Sequence, residues 1–381
     1  MNTKPEPKRS KGVLVLEDGT EFEGLLCGAP LAHPAGKGYG EVVFNTSLTG
    51  YQEILTDPSY AGQMICMTAA HIGNTGLNAE DNESSKMWCS GFIVQELCES
   101  PSNWSANTAL EEQLELHGIP VLTEVDTRSL TLHLRSRGVL RGILVPANER
   151  SLAQKLIQAL PPFENRDLIS EVTTRAPYSW HASSRRYSVV VLDFGVKWNL
   201  LRSLAKLGCD LEVVPASTTA DEILARRPDG VFLSNGPGNP KAAPYAIRAV
   251  HQLIGKLPIF GVCMGHQILS LAAGADTYKM KFGHRGGNQP VQDQETRHVE
   301  ISSHNHGYSV DAKSLPADVE VTHINCNDQS VEGIRIQNKS AFSVQYHPEA
   351  CPGPHDSQAL FLRFVELMDQ WHTRNTETST Q

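Results

Sequence analysis

The stretch Leu257-Pro258-Ile259-Phe260-Gly261-Val262-Cys263-Met264-Gly265-His266-Gln267-Ile268-Leu269-Ser270-Leu271-Ala272-Ala273 decides the fold. An apolar run enters a cysteine flanked by glycines and an apolar-periodic run leaves it, a pattern of strand, tight turn and helix. A cysteine there stands on a sharp elbow at the carboxyl end of a sheet, and Gly261 and Gly265 relieve the crowding that an elbow imposes. The helix that follows aims its free N–H groups and positive end at the sulfur, which favours the thiolate form that attacks carbonyl carbon. Cys263 is therefore a candidate nucleophile for acyl transfer. A lone cysteine after a core strand is otherwise a buried packing residue, so the assignment depends on what the rest of the chain supplies.

Outward from the elbow, strands and helices alternate. Ser188-Val189-Val190-Val191-Leu192-Asp193 is a continuous apolar strand of the kind buried on both faces of a parallel sheet. Helix 198–207, strand 211–214, helix 221–226, strand 231–233 and helix 246–254 lead to the cysteine strand. This rhythm predicts an α/β domain over 187–372 with a doubly wound, mostly parallel sheet and a ligand site beyond the strands' carboxyl ends. Short strands are expected from 297 to 345, then a closing helix over 357–368. Upstream, a smaller mixed α/β domain is expected over 12–162. It opens with a hairpin, strands 13–16 and 21–26 around Asp18-Gly19. Further strands are expected at 41–44, 64–68, 91–94 and 140–145, with helices at 106–116, from the N-cap Asp126 to Gly138, and at 152–160. Residues 163–186 have weak periodicity and read as a linker, 1–11 as a flexible lead-in and 373–381 as a flexible tail.

The 381 residues carry a formal net charge of −9, which does not suggest a nucleic-acid partner. The polar, basic start resembles neither a signal peptide nor an anchor, no apolar run approaches the roughly 18 residues of a membrane span, and a cytoplasmic protein is expected. Eight scattered cysteines form no C-x-x-C pair, which fits reduced thiols. No metal site is expected: His304-Asn305-His306 has no Cys or carboxylate cluster at ligand spacing. Gly36-Lys37-Gly38 is not a phosphate loop, because position 31 is Leu and no Ser or Thr follows Lys37.

Three loops at predicted strand ends carry the chemistry. In Ser234-Asn235-Gly236-Pro237-Gly238-Asn239-Pro240, Gly236 and Gly238 let backbone approach a ligand or aim N–H groups at an oxyanion. In the elbow, the N–H of Met264 is placed for the same task. In Gln345-Tyr346-His347-Pro348-Glu349, His347 can take the thiol proton and return it to a leaving amine, while Glu349 holds the second ring nitrogen.

These blocks, G-V-C-M-G-H-Q, S-N-G-P-G-N-P and Q-Y-H-P-E, resemble the signatures of class I triad glutamine amidotransferases. In that family a cysteine attacks the side-chain amide of glutamine, ammonia leaves, and water releases glutamate. On Val43 to Tyr60 the first domain is similar to that of the small-subunit family of carbamoyl-phosphate synthetases, and Asp126 to Thr131, Lys281 to Asn288 and Pro352 to Asp356 fit the same family, so the resemblance spans almost the whole chain. The resemblance implies a Cys263–His347–Glu349 triad and a glutamine pocket lined by Ser47, Gly236, Gly238, Met264, Gln267, Asn305, Gly307 and Tyr308. Two positions depart from the usual pattern: His304 stands where Gln is usual and Tyr308 where Phe is usual. His304 is expected to face outward, and Cys351, where Ser is common, is read as a packing residue.

The resemblance further implies that the ammonia goes to a large subunit that makes carbamoyl phosphate from bicarbonate, for arginine and pyrimidine synthesis. ATP and Mg are expected on that subunit, with no cofactor in this chain. The first domain would dock it, and the heterodimers could associate further. An amidotransferase serving GMP or anthranilate synthesis, or a non-catalytic scaffold, are the alternative readings.

Overall fold

The computed structural model describes residues 9–31, 36–160 and 162–379. The chain divides into two compact units, Met1–Phe163 and Glu164–Gln381.

The first unit contains β1 (Ser10–Leu16), β2 (Glu21–Gly28), β3 (Tyr39–Asn45), β4 (Gln63–Met67), β5 (His71–Ile72), β6 (Gly91–Ile93), β7 (Glu96–Leu97), β8 (Pro120–Thr123) and β9 (Leu140–Pro146). Strands β1, β2, β8, β6, β4, β3 and β9 close into a barrel in that order, while β5 and β7 pair with each other. Closure satisfies the edges that an open sheet would leave unpaired. Asp126 caps the helix Thr127–Arg137 by accepting from Ser129 N at 2.9 Å, and Gly138 ends it at φ 108°. Helix Tyr51–Thr56 is not among the expected helices; its buried Tyr51, Ile54 and Leu55 belong to the core, which overrides a weak helical signal. The lead-in ends earlier than expected, since Ser10 and Lys11 already pair in β1; residues 1–8 lie outside the described part.

The second unit contains β10 (Tyr178–Trp180), β11 (Tyr187–Asp193), β12 (Cys209–Pro215), β13 (Gly230–Leu233), β14 (Ile259–Val262), β15 (Thr277–Asp293), β16 (Val299–Val310), β17 (Val319–Asn325), β18 (Val331–Ile336) and β19 (Ala341–Val344). They form one sheet in the order β10-β12-β11-β13-β14-β19-β18-β16-β15-β17. The block β12-β11-β13-β14-β19 is parallel, and antiparallel strands flank it. As the apolar run in β11 demands, its side chains enter both cores: Val190 and Leu192 pack on one face, Val189 and Val191 on the other.

Three expectations are corrected. Residues 163–186 are no tether: Ile169–Val172 is helical, Ile169 is in the core, and β10 pairs with β12. These elements are too short to show a period, and tertiary pairing makes them. The short strands expected after 297 include the long β16, which pairs with the longer β15 through two register shifts. Gly283, Gly286, Gly287 and Pro290 interrupt alternation in β15 and hide it in the sequence. The helix Ala359–Ser379 runs through most of the expected tail, where Arg374 Nη2 donates to Ser340 Oγ at 2.7 Å.

The elbow strand sits on aromatic packing. Phe260 is fully buried, with Phe342 stacked at 4.5 Å between centroids and Phe232, Phe361 and Phe364 at 5.3, 5.9 and 5.8 Å. Phe260→Ala should cost about 3–5 kcal/mol of second-unit stability, read as a lowered urea midpoint with the slope unchanged.

Candidate active site

The parallel ladder between β14 and β19 places the elbow. Val262 stands opposite Val344, and Cys263 N donates to Val344 O at 2.9 Å, so both chains leave the sheet at the same edge. Cys263 follows one strand and His347 the other. Cys263 is 1% exposed, caps the helix Met264–Ala272, and holds φ 54° and ψ −103°, a conformation that L residues adopt only under constraint. The glycines beside it have no room for side chains. A Cβ on Gly265 would sit 2.2 Å from Leu233 O, and one on Gly261 would sit 2.7 Å from Gly265 O.

His347 Nδ1 lies 2.7 Å from Glu349 Oε1. That leaves Nε2, buried and with no hydrogen-bond partner, on the side of the ring where the Cys263 side chain acts on it. Burial works against a charged imidazole, but Glu349 and Cys263 outweigh it and raise the His347 pKa to about 10. Burial likewise opposes the Glu349 carboxylate, yet Lys197 and His347 hold it down at about 2. The carboxylate thus stays ionised and the imidazole holds a proton readily. The Cys263 sulfur also lies 3.6 Å from Asn305 O.

Lys197 is a residue that the sequence did not flag. Its Nζ, buried at 4% side-chain exposure, lies 2.9 Å from Glu349 Oε1 and 2.6 Å from Ala350 O. A charge this deep needs a partner, and it finds one in the carboxylate that orients His347. A lysine between a strand and a helix carries no period or motif, so only the fold reveals it. Cys351 Sγ accepts from Asn199 Nδ2 at 3.1 Å, a contact in keeping with packing.

The glycine loop leaves β13 beside the elbow. Ser234 O accepts from Gly265 N at 2.9 Å, and Asn235 Oδ1 from Lys197 N at 3.0 Å. Gly236 is obligatory, because a Cβ there would meet Phe194 O at 2.1 Å; Gly238 sits at φ 85°. Met264 and Gln267 lie on the first turn of the elbow helix. Gln267 Nε2 donates to Tyr308 O at 2.9 Å and to Gln345 Oε1 at 3.1 Å, leaving Gln267 Oε1 and Gln345 Nε2 buried without partners. Asn305, Gly307 and Tyr308 follow one another on β16 beside this helix. Ser47 belongs to the first unit, between β3 and the helix Tyr51–Thr56, where its N–H donates to Asn45 Oδ1 at 2.8 Å.

His304 does not face outward: it is 2% exposed, and its ring stacks on Tyr346 at 5.9 Å. Its ring nitrogens lie 2.7 Å from Ser302 Oγ and 3.1 Å from His306 Nε2, buried partners that the sequence pattern does not reveal. His266, inside the cysteine motif, is fully buried against Ser343 Oγ at 2.9 Å, and burial pushes its pKa down to about 3. It is a packing histidine.

Two family models match the chain: carbamoyl-phosphate synthase small chain, CPSase domain, over residues 14–144, and glutamine amidotransferase class-I over 190–367. The chain is 49% identical to the carbamoyl phosphate synthase small chain of Syntrophotalea carbinolica, over 94% of this chain and 98% of that one. It is 48% identical to the chloroplastic small chain of Oryza sativa subsp. japonica (95% and 83%), and 49% identical to the small chain of Chlorobaculum tepidum (94% and 98%).

Glu349→Gln removes a carboxylate whose pKa is depressed from 4.5 to about 2. The stability that this ionisation contributes is complete above pH 4.5 and is lost as pH falls toward 2. The melting-temperature gap between wild type and Glu349→Gln should therefore narrow as pH falls through that window. The same variant should lower the His347 pKa in an NMR titration.

Proposed function

The chain belongs to the carbamoyl phosphate synthase small chain family, and from that premise we propose that Cys263, His347 and Glu349 perform its glutamine hydrolysis. It is the glutamine-hydrolysing component of that synthase, built on a class I amidotransferase domain. The observation that supports the triad is the imidazole itself: Nδ1 is tied to Glu349 at 2.7 Å, and the Cys263 side chain together with Glu349 raises its pKa.

Within the second unit, glutamine lies against Gly236, Gly238, Met264, Gln267, Asn305, Gly307 and Tyr308. The partnerless atoms of Gln267 and Gln345 support this reading, since a polar substrate would satisfy them. Cys263 attacks the amide carbon as His347 takes its proton. The N–H of Met264 and those of the glycine loop hold the oxyanion. His347 then protonates the departing ammonia, forming the thioester. Water activated by the same imidazole opens the thioester, releasing glutamate and free thiol. Glu349, braced by Lys197, stays charged throughout.

The ammonia passes to the large subunit, which carries ATP and Mg and forms carbamoyl phosphate from bicarbonate for arginine and pyrimidine synthesis. The first unit docks that subunit, and Trp104, 96% exposed, is one apolar group it offers. The complex is cytoplasmic, and heterodimers associate further. Among the described residues, no helix is long and apolar enough to cross a membrane.

In complex with the large subunit, Cys263→Ser should lower glutamine-dependent carbamoyl phosphate synthesis by about a thousandfold or more. Synthesis from added ammonium salts should stay near wild type. Loss of both activities would overturn the assigned role.

A further inference from the structure

We propose that this chain carries a structural divalent metal site, selective for Zn²⁺, formed by His284, His304, His306 and Glu332. The four side chains come from β15, β16 and β18, all are buried, and their ligand atoms lie within 4.8 Å of one another. His284 stands directly opposite His306 across the β15–β16 ladder, and His304 is two residues from His306 on the same face.

The hydrogen bonds decide which nitrogen of each ring faces inward. Tyr308 O can only accept, so His306 Nδ1, 2.9 Å away, carries the proton and Nε2 presents a lone pair. Asp328 Oδ2 lies 2.9 Å from His284 Nε2, which leaves His284 Nδ1 turned toward Glu332 Oε1 at 3.5 Å. Ser302 Oγ donates to Gln289 O at 3.0 Å and therefore accepts from His304 Nε2 at 2.7 Å, leaving His304 Nδ1 bare. Three imidazole nitrogens and a carboxylate thus converge. His304 Nδ1 and His306 Nε2 are 3.1 Å apart, and Glu332 is 3.5 Å from His284 Nδ1 and 3.8 Å from His304 Nδ1. Nitrogens this close need a shared proton or a metal ion between them. In a hydrogen-bonded core, His284 Nδ1 and Glu332 Oε2 would be left buried without partners.

The spacings suit a metal. Four ligands at about 2.0–2.1 Å in a tetrahedron are separated by roughly 3.4 Å. Each histidine already has its outer nitrogen held by a carboxylate, a hydroxyl or a carbonyl, the support that orients metal-bound imidazoles. Nitrogen-rich donors disfavour Ca²⁺ and Mg²⁺, and four protein ligands in a closed, buried site fit structural Zn²⁺. Such an ion would pin β16, the strand that brings Asn305 to the sulfur and whose Ser303 O accepts from His347 N at 2.9 Å.

The test uses the full chain, stripped with chelator and titrated with Zn²⁺ alone against a chromophoric competitor, then with Co²⁺ as a spectroscopic probe. The expected result is one Zn²⁺ per chain, and the d–d absorption of tetrahedral Co²⁺ without a thiolate charge-transfer band. His304→Gln and Glu332→Gln should each weaken Zn²⁺ binding at least about tenfold, and Cys263→Ser should leave it unchanged. The two ligand variants are read separately, so misfolding of one leaves the other informative. Failure to take up Zn²⁺ means that a shared proton bridges the histidines, and overturns the proposal. So does binding that vanishes in Cys263→Ser, which would place the ion on the triad thiol.

Discussion

The register of β14 against β19 is the constraint on which the site depends. Two parallel strands end side by side, so a cysteine at one end and a histidine beyond the other meet without either loop having to search for its partner. The strain at Cys263 is tolerated because the strand below is over-determined by Phe260 and its ring neighbours, and because Gly261 and Gly265 leave no side chain to clash. Packing energy in the sheet thus holds a backbone conformation that no isolated peptide would keep.

Charge is layered behind the sulfur. Lys197 neutralises Glu349, Glu349 supports the charged state of His347, and His347 faces Cys263. Each member is buried, so each pairing acts in a low dielectric where its absence would leave an uncompensated charge. A neutral histidine such as His266, a few residues away in the same layer, shows the contrast: burial without a carboxylate drives its pKa down.

The β15–β16 ladder extends the same sheet beyond β18. The Asn305 O of β16 lies 3.6 Å from the Cys263 sulfur, and His304 and His306 on either side of it join a buried histidine cluster. Tyr308 O shows the coupling at one atom, accepting both from Gln267 on the elbow helix and from His306 in the histidine cluster.

Local signals were enough for much of this. The elbow, the glycine loop and His347-Pro348-Glu349 are each contiguous, and their residue types carry their chemistry at short range. The βαβ rhythm of the second unit and the Asp126 cap are legible because apolar period and capping are local properties. The barrel closure of the first unit, the packed segment after Phe163 and the length of β15 were not, because pairing partners far along the chain decide them. The same holds for Lys197, whose partner Glu349 is 152 positions away. It holds too for Glu332, the carboxylate that the histidine pair lacked at ligand spacing, which another strand delivers. Sequence alone determined which residues could act as nucleophile, base and orienting acid. Only the tertiary structure decided which buried charges meet, because burial and proximity belong to the folded sheet and not to the order of residues along it.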